Sequence, residues 1–239
     1  DWADRAAEAG RAVLARPGGD WRCGGTWFAG VNALDNDAAG RLPDGPPLPG
    51  FLQGVARDLA GEGVIWDRAQ LSVCRPGYPL PSEGESAAAA RYRRDRDAAH
   101  VDGLLPVGPE RRRMLREPHA FVLGLPLNRC GAGASPMVVW EGSHRIMAET
   151  LGPVLNAAHP REWDNVDLTD AYHAARRRCF ETCARVVVAA KPGGGYLVHR
   201  LALHGVAPWE EGAEAPEEGR MIAYFRPYLV DPALWPVPD

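Results

Sequence analysis

The triplet His100-Val101-Asp102 places an imidazole and a carboxylate two residues apart. On extended backbone, side chains at i and i+2 leave the same face, so both groups can reach one ion; on a helix they diverge. Alone, the pair reads by default as a salt-bridged surface pair. A histidine supplied from a distant segment changes its meaning, and His204-Gly205 is such a partner. It lies beyond the tight turn Lys191-Pro192-Gly193-Gly194-Gly195 and the apolar stretch leaving it. Two imidazoles and one carboxylate hold a divalent first-row metal such as iron while leaving about three octahedral positions for reactants. Arg220 opens the alternating run Met221–Phe225. A guanidinium fixed on a strand can take a carboxylate through two parallel hydrogen bonds, although a lone arginine is more often simply exposed. His199, five residues before His204, would face the opposite way on an unbroken strand and reads as a packing residue. His119, His144, His159 and His173 have no distinctive partner pattern.

These groups need a scaffold of short elements, and 27 glycines and 22 prolines in 239 residues favour strands and loops over a helical bundle. β-Leaning segments are expected at Ala99–Val101, Phe121–Leu127, Met137–Trp140, Arg185–Ala189, Tyr196–Leu203 and Met221–Phe225, after an apolar segment at Gln70–Cys74. Helical spacing marks Asp4–Arg16, stopped by Pro17-Gly18-Gly19, and Phe51–Leu59. A third helix is expected at about Asp170–Phe180, with Thr169 as its N-cap. Between them, Trp21–Leu34 suits a strand with a turn and Asp35–Gly50 an excursion loop. The strands lack regular crossover helices, so an antiparallel barrel or jelly roll fits better than a doubly wound sheet. One domain over 1–239 is expected, with a helical and loop region at about 1–69, a core at 70–230 and a variable insertion at 145–184.

The formal charge of -4 gives no pull toward nucleic acid or anionic lipid. Two arginine-rich stretches, Arg91/Arg93/Arg94/Arg96 and Arg111/Arg112/Arg113/Arg116, flank the first motif. They read as solvated charge, the first partly answered by Asp95 and Asp97, and otherwise as contacts for an anionic substrate. No apolar run reaches membrane-spanning length. Five scattered cysteines without a CxxC pair fit a reduced, cytoplasmic setting and read as small buried side chains.

As an ordered set, the motifs resemble the phytanoyl-CoA dioxygenase-like family of Fe(II)/2-oxoglutarate-dependent oxygenases. His100-Val101-Asp102-Gly103 is similar to its iron motif, His204-Gly205 to its distal ligand and Arg220 to its cosubstrate arginine. Trp140-Glu141-Gly142-Ser143-His144 is similar to its Pro-Gly-Ser-His segment, with Glu141 in place of proline. Two departures stand out: Gly193–Gly195 fill a turn that usually carries an acidic residue, and Glu210–Glu218 lengthen the interval before Arg220, leaving Arg226 as an alternative anchor. The resemblance implies a mainly β fold with flanking helices around a double-stranded β-helix, a cupin-like jelly roll. It implies iron on His100, Asp102 and His204, with 2-oxoglutarate chelating the metal and held by Arg220. Oxidation of a small organic or lipid-like metabolite by dioxygen would release succinate and carbon dioxide. Retention of Asp102, the carboxylate that related halogenases give up, implies hydroxylation. Trp140, Asn128 and Tyr78 are further pocket candidates. Two other readings stand beside this one: a non-oxidative divalent-metal enzyme on the same triad, and an inactive barrel that binds a ligand.

Overall fold

Alternating apolar residues decide which face of each strand is buried, and at Gln70–Cys74 and Arg220–Phe225 both faces are. In the computed structural model, which describes residues 1–238, the first three strands are β1 (Trp21–Arg22), β2 (Trp27–Phe28) and β3 (Gln70–Cys74). They are followed by β4 (Leu104–Val107), β5 (Arg112–Leu115), β6 (Phe121–Pro126) and β7 (Met137–Trp140). The last four are β8 (Arg185–Val188), β9 (Tyr196–His199), β10 (His204–Val206) and β11 (Arg220–Phe225). They form a large sheet in the order β1-β2-β3-β11-β6-β9, a small one in the order β10-β7-β8, and a separate β4-β5 hairpin. Every pairing is antiparallel.

Strand β11 lies in the middle of the large sheet and every residue in it is buried. Ile222 and Tyr224 pack with Val122 and Val198 against Met137 of the small sheet, so the two sheets face each other. Met221, Ala223 and Phe225 point the other way, into the main core. That side is covered by α1 (Trp2–Leu14) and α2 (Gly50–Ala60), through Trp2, Ala6, Leu52 and Ala56. Phe225 is fully buried between the rings of Trp2 and Trp66, at centroid distances of 5.7 and 5.2 Å. Burial of one such ring contributes about 2–3 kcal/mol.

Helices α4 (Ser143–Asn156) and α5 (Thr169–Thr182), joined through a 3-10 turn at Pro160–Asn165, make up most of the expected insertion. Met147, Leu151 and Leu155 of α4 and Tyr172, Ala175 and Cys179 of α5 join the same core. Thr169 begins α5 rather than capping it: its hydroxyl donates to Asp167 and accepts from the Arg113 backbone. The arginine-rich stretch after Ser82 contains α3 (Ala87–Asp95), capped by Ser86 and burying none of its residues.

Two expected strands differ. Ala99–Val101 is not a strand: His100 makes an isolated bridge to His204, and the chain turns at once through Asp102-Gly103. Tyr196–Leu203 breaks after His199, and the chain resumes at His204 in the other sheet. The region before residue 69 is no separate appendage, because β1 and β2 extend the large sheet. All five cysteines are free thiols. Among the described residues, no helix is long and apolar enough to cross a membrane.

Candidate metal centre

The histidines of the two motifs meet through their backbones. The His100 amide donates to the His204 carbonyl at 2.8 Å and the His204 amide donates back at 3.0 Å. This closed pair sets the two rings side by side, with centroids 4.7 Å apart. Each Nδ1 faces the carbonyl two residues earlier, His100 on Ala98 at 3.0 Å and His204 on Ala202 at 2.8 Å. A proton on Nδ1 satisfies those carbonyls and leaves each Nε2 as a lone-pair donor. Asp102 lies between them, Oδ1 3.1 Å from His100 Nε2 and Oδ2 3.8 Å from His204 Nε2. Donor atoms of the three residues lie within 4.8 Å of one another. Two imidazoles and a carboxylate on one small patch fit a divalent ion such as iron.

Both motif glycines are required by close approach. A Cβ on Gly205 would stand 2.1 Å from the Asp97 carbonyl, and one on Gly103 would stand 2.1 Å from that of Glu117. Gly103 also has a φ of +84°, which an L side chain rarely adopts. The crossing segment is anchored by Asp97, whose buried carboxylate takes two 2.7 Å hydrogen bonds from Arg185 of β8. Sequence proximity pairs Asp97 with the neighbouring arginines, but its actual partner is 88 residues away. On the other side, the Trp140 amide donates to the Leu203 carbonyl and the Leu203 amide donates to the Ser143 hydroxyl, both at 2.9 Å. The segment around Ser143 thus fixes the backbone entering His204.

Electrostatics keep the three candidate ligands in different states. Burial and the adjacent His100 push His204 down to about 4, against the pull of Asp102, so it is neutral at ordinary pH. Desolvation opposes charge on His100, but the Asp102 carboxylate outweighs it and the pKa lies above the usual value. Desolvation likewise opposes the Asp102 charge, yet both imidazoles and Arg226 hold it well below the carboxylate range.

The triad opens into a cavity of about 490 Å³ lined also by Gln70, Ser72, Tyr78, Tyr224 and Arg226. Arg226 is committed there: one Nη lies 3.7 Å from Asp102 Oδ2 and the other donates to Gln70 at 2.6 Å. Arg220 is different and is not part of that lining. It is 6% exposed, its Nε has no acceptor, and its nearest polar contact is the Cys74 thiol at 3.5 Å. Burial keeps Cys74 protonated despite the guanidinium, and likewise raises the Tyr196 phenol, which shares a 2.8 Å hydrogen bond with Tyr224. Among the described residues, the result is a buried cation without a counter-charge, and a donor without an acceptor.

Of the other pocket candidates, Tyr78 lines the cavity and Trp140 and Asn128 do not. Trp140 sits in the core, edge-on to Phe180 at 5.1 Å. Asn128 donates to the Gly219 carbonyl at 2.7 Å and accepts from the Met221 amide at 3.0 Å. It therefore clamps the backbone on both sides of Arg220. Gln70 and the pairing of Asp97 with Arg185 were missed because their value lies in long-range contacts with no local signature, whereas Ser143 stood in the Gly-Ser-His segment already singled out. His199 ends β9, with Nδ1 accepting from the Leu201 amide away from the triad.

No family model matches the sequence, and no curated protein matches it. Solved structures do resemble the fold. SnoK, a non-heme alpha ketoglutarate dependent carbocyclase from nogalamycin biosynthesis, matches over 94% of this chain and 74% of its own. Its TM-score is 0.52 at 18% sequence identity. EvdMO1 matches over 95% of this chain and 44% of its own, with a TM-score of 0.50 at 13% identity. At such identities the likeness establishes a common fold.

Proposed function

We propose that the protein is an Fe(II)/2-oxoglutarate-dependent oxygenase whose facing sheets are the two halves of a double-stranded β-helix. The observation that carries this reading is the convergence of His100, Asp102 and His204 through a reciprocal backbone pair. The shared fold with SnoK, itself alpha ketoglutarate dependent, supports it. Bound iron and 2-oxoglutarate would supply dioxygen activation coupled to decarboxylation of the cosubstrate to succinate and carbon dioxide.

The chain's own residues have separable tasks. His100 and His204 present Nε2, and Asp102 supplies the negative charge. Arg220 binds the far carboxylate of 2-oxoglutarate, because it alone on β11 offers a buried guanidinium with an unused donor. Arg226 and Gln70 hold the position of Asp102 at the other end. Val122, Met137 and Tyr224, which line the cavity, keep water from its inner wall. A small organic or lipid-like substrate would be hydroxylated, since the carboxylate ligand is retained; SnoK, a carbocyclase, makes ring closure the second outcome worth assaying. Anaerobic addition of Fe(II) and then 2-oxoglutarate should produce the weak visible charge-transfer band of a chelated cosubstrate. Folded, iron-loaded protein without that band would refute the assignment.

A further inference from the structure

Resting on that reading of the cavity, the structure sorts the eight arginines that flank the first motif. Arg91, Arg96 and Arg111 are exposed. Arg94, Arg112 and Arg116 are ion-paired to Asp95, Glu110 and Asp164. Only Arg93 and Arg113 line the cavity, and Arg93 is neutralised by Glu85. Arg113 is half-buried with no carboxylate within ion-pairing distance among the described residues. Its Nη1 reaches only the Leu104 carbonyl, at 3.3 Å.

The carboxylates of the same cavity are already engaged. Asp97 is held by Arg185, Asp102 belongs to the triad, and Glu117 lies 3.2 Å from His119. Nearby, Arg176 adds a second half-buried guanidinium, stacked at 5.3 Å on Tyr172 and 4.8 Å on Tyr92, again without an acidic partner among the described residues. Arg113 itself lies 6.0 Å from the Tyr172 ring, and burial keeps that phenol protonated, so it supplies no counter-charge. Stacking accounts for the orientation of Arg176 but leaves both charges uncompensated.

The Arg113 backbone is also fixed. Its amide donates to the Thr169 hydroxyl and its carbonyl accepts from the Leu168 amide, both at 2.8 Å. A half-buried cation on a clamped backbone, facing a cavity without a free carboxylate, is a built receptor for an oxyanion. We propose that the primary substrate carries a carboxylate or phosphate group that Arg113 grips while the reacting carbon faces the metal triad.

The test titrates phenyl phosphate, benzoate and the neutral benzyl alcohol into the full chain loaded anaerobically with Fe(II) and 2-oxoglutarate. At least one anion should bind more tightly than benzyl alcohol, and the tighter anion identifies the oxyanion. Arg113→Gln should weaken that binding by about tenfold or more, whereas Arg112→Gln, one residue away, should not. Arg113→Lys, which keeps the charge and loses the fork, should fall between and serves if Arg113→Gln does not fold. Equal binding of all three probes, or wild-type anion affinity in Arg113→Gln, would overturn the proposal. Repeating the titration on metal-free chain separates the two readings. Arg113-dependent anion binding without a cosubstrate band in wild type would keep this site and remove the oxygenase assignment.

Discussion

Arg220 opens β11 and Arg226 follows its last residue, and their surroundings are opposite. Arg226 lies beside the carboxylate of Asp102 and the amide of Gln70, its charge answered by the protein itself. Arg220 is walled in by a thiol and two phenols, with its Nε unbonded. A buried cation without a partner is costly, and folding alone gives no reason to keep one. The contrast is the reason for assigning the cosubstrate carboxylate, in our proposal, to Arg220 rather than Arg226.

The comparison breaks most severely at the metal corner. Asp102→Ala or His204→Ala should weaken Fe(II) binding by more than about 100-fold in anaerobic equilibrium dialysis, since each removes a direct ligand. Retention of one tightly held Fe(II) per chain in both would dissolve the triad. Next in size is Asn128→Ala, which frees the backbone on both sides of Arg220. Two lost hydrogen bonds should cost about 1–3 kcal/mol in urea unfolding. The Km for 2-oxoglutarate should rise several-fold with kcat less affected. A Km that does not move would make Asn128 purely architectural.

A smaller effect has the opposite sign. Arg220→Met replaces an uncompensated cation with an apolar chain of similar length, so the metal-free protein should melt about 2–4 °C higher for each kcal/mol recovered. A large fall in Tm would mean that Arg220 has a structural partner. The smallest effect belongs to Trp140→Phe. It trims a core ring packed on Phe180 and should cost some stability without altering cosubstrate affinity.

Much of the site was legible because its chemistry is local. His100 with Asp102, and His204 with Gly205, are short motifs, and the two glycines are demanded by carbonyls 2.1 Å from a would-be Cβ. Strands β3 and β7 coincide with segments marked by their apolar and β-branched content. The bridge at His100 was mistaken for a strand because alternation cannot reveal that the chain turns at Gly103. The break after His199 was invisible for a related reason: Leu201 and Leu203 are buried although they lie outside any strand, so burial continues where pairing stops. Asn128 was singled out as a pocket residue, and its clamp on β11 depends on a contact spanning 91 and 93 residues. The Asp97–Arg185 anchor spans 88 and leaves no periodic trace.

The division of labour along β11 is tested most directly by titrating 2-oxoglutarate anaerobically into Fe(II)-loaded wild type, Arg220→Gln and Arg226→Gln while following the charge-transfer band. Loss of a charged bidentate contact removes roughly 2–3 kcal/mol, so half-saturation for Arg220→Gln should move about 30- to 150-fold. Arg226→Gln should move it far less. A band that never forms in wild type, or a larger shift in Arg226→Gln than in Arg220→Gln, would contradict the account.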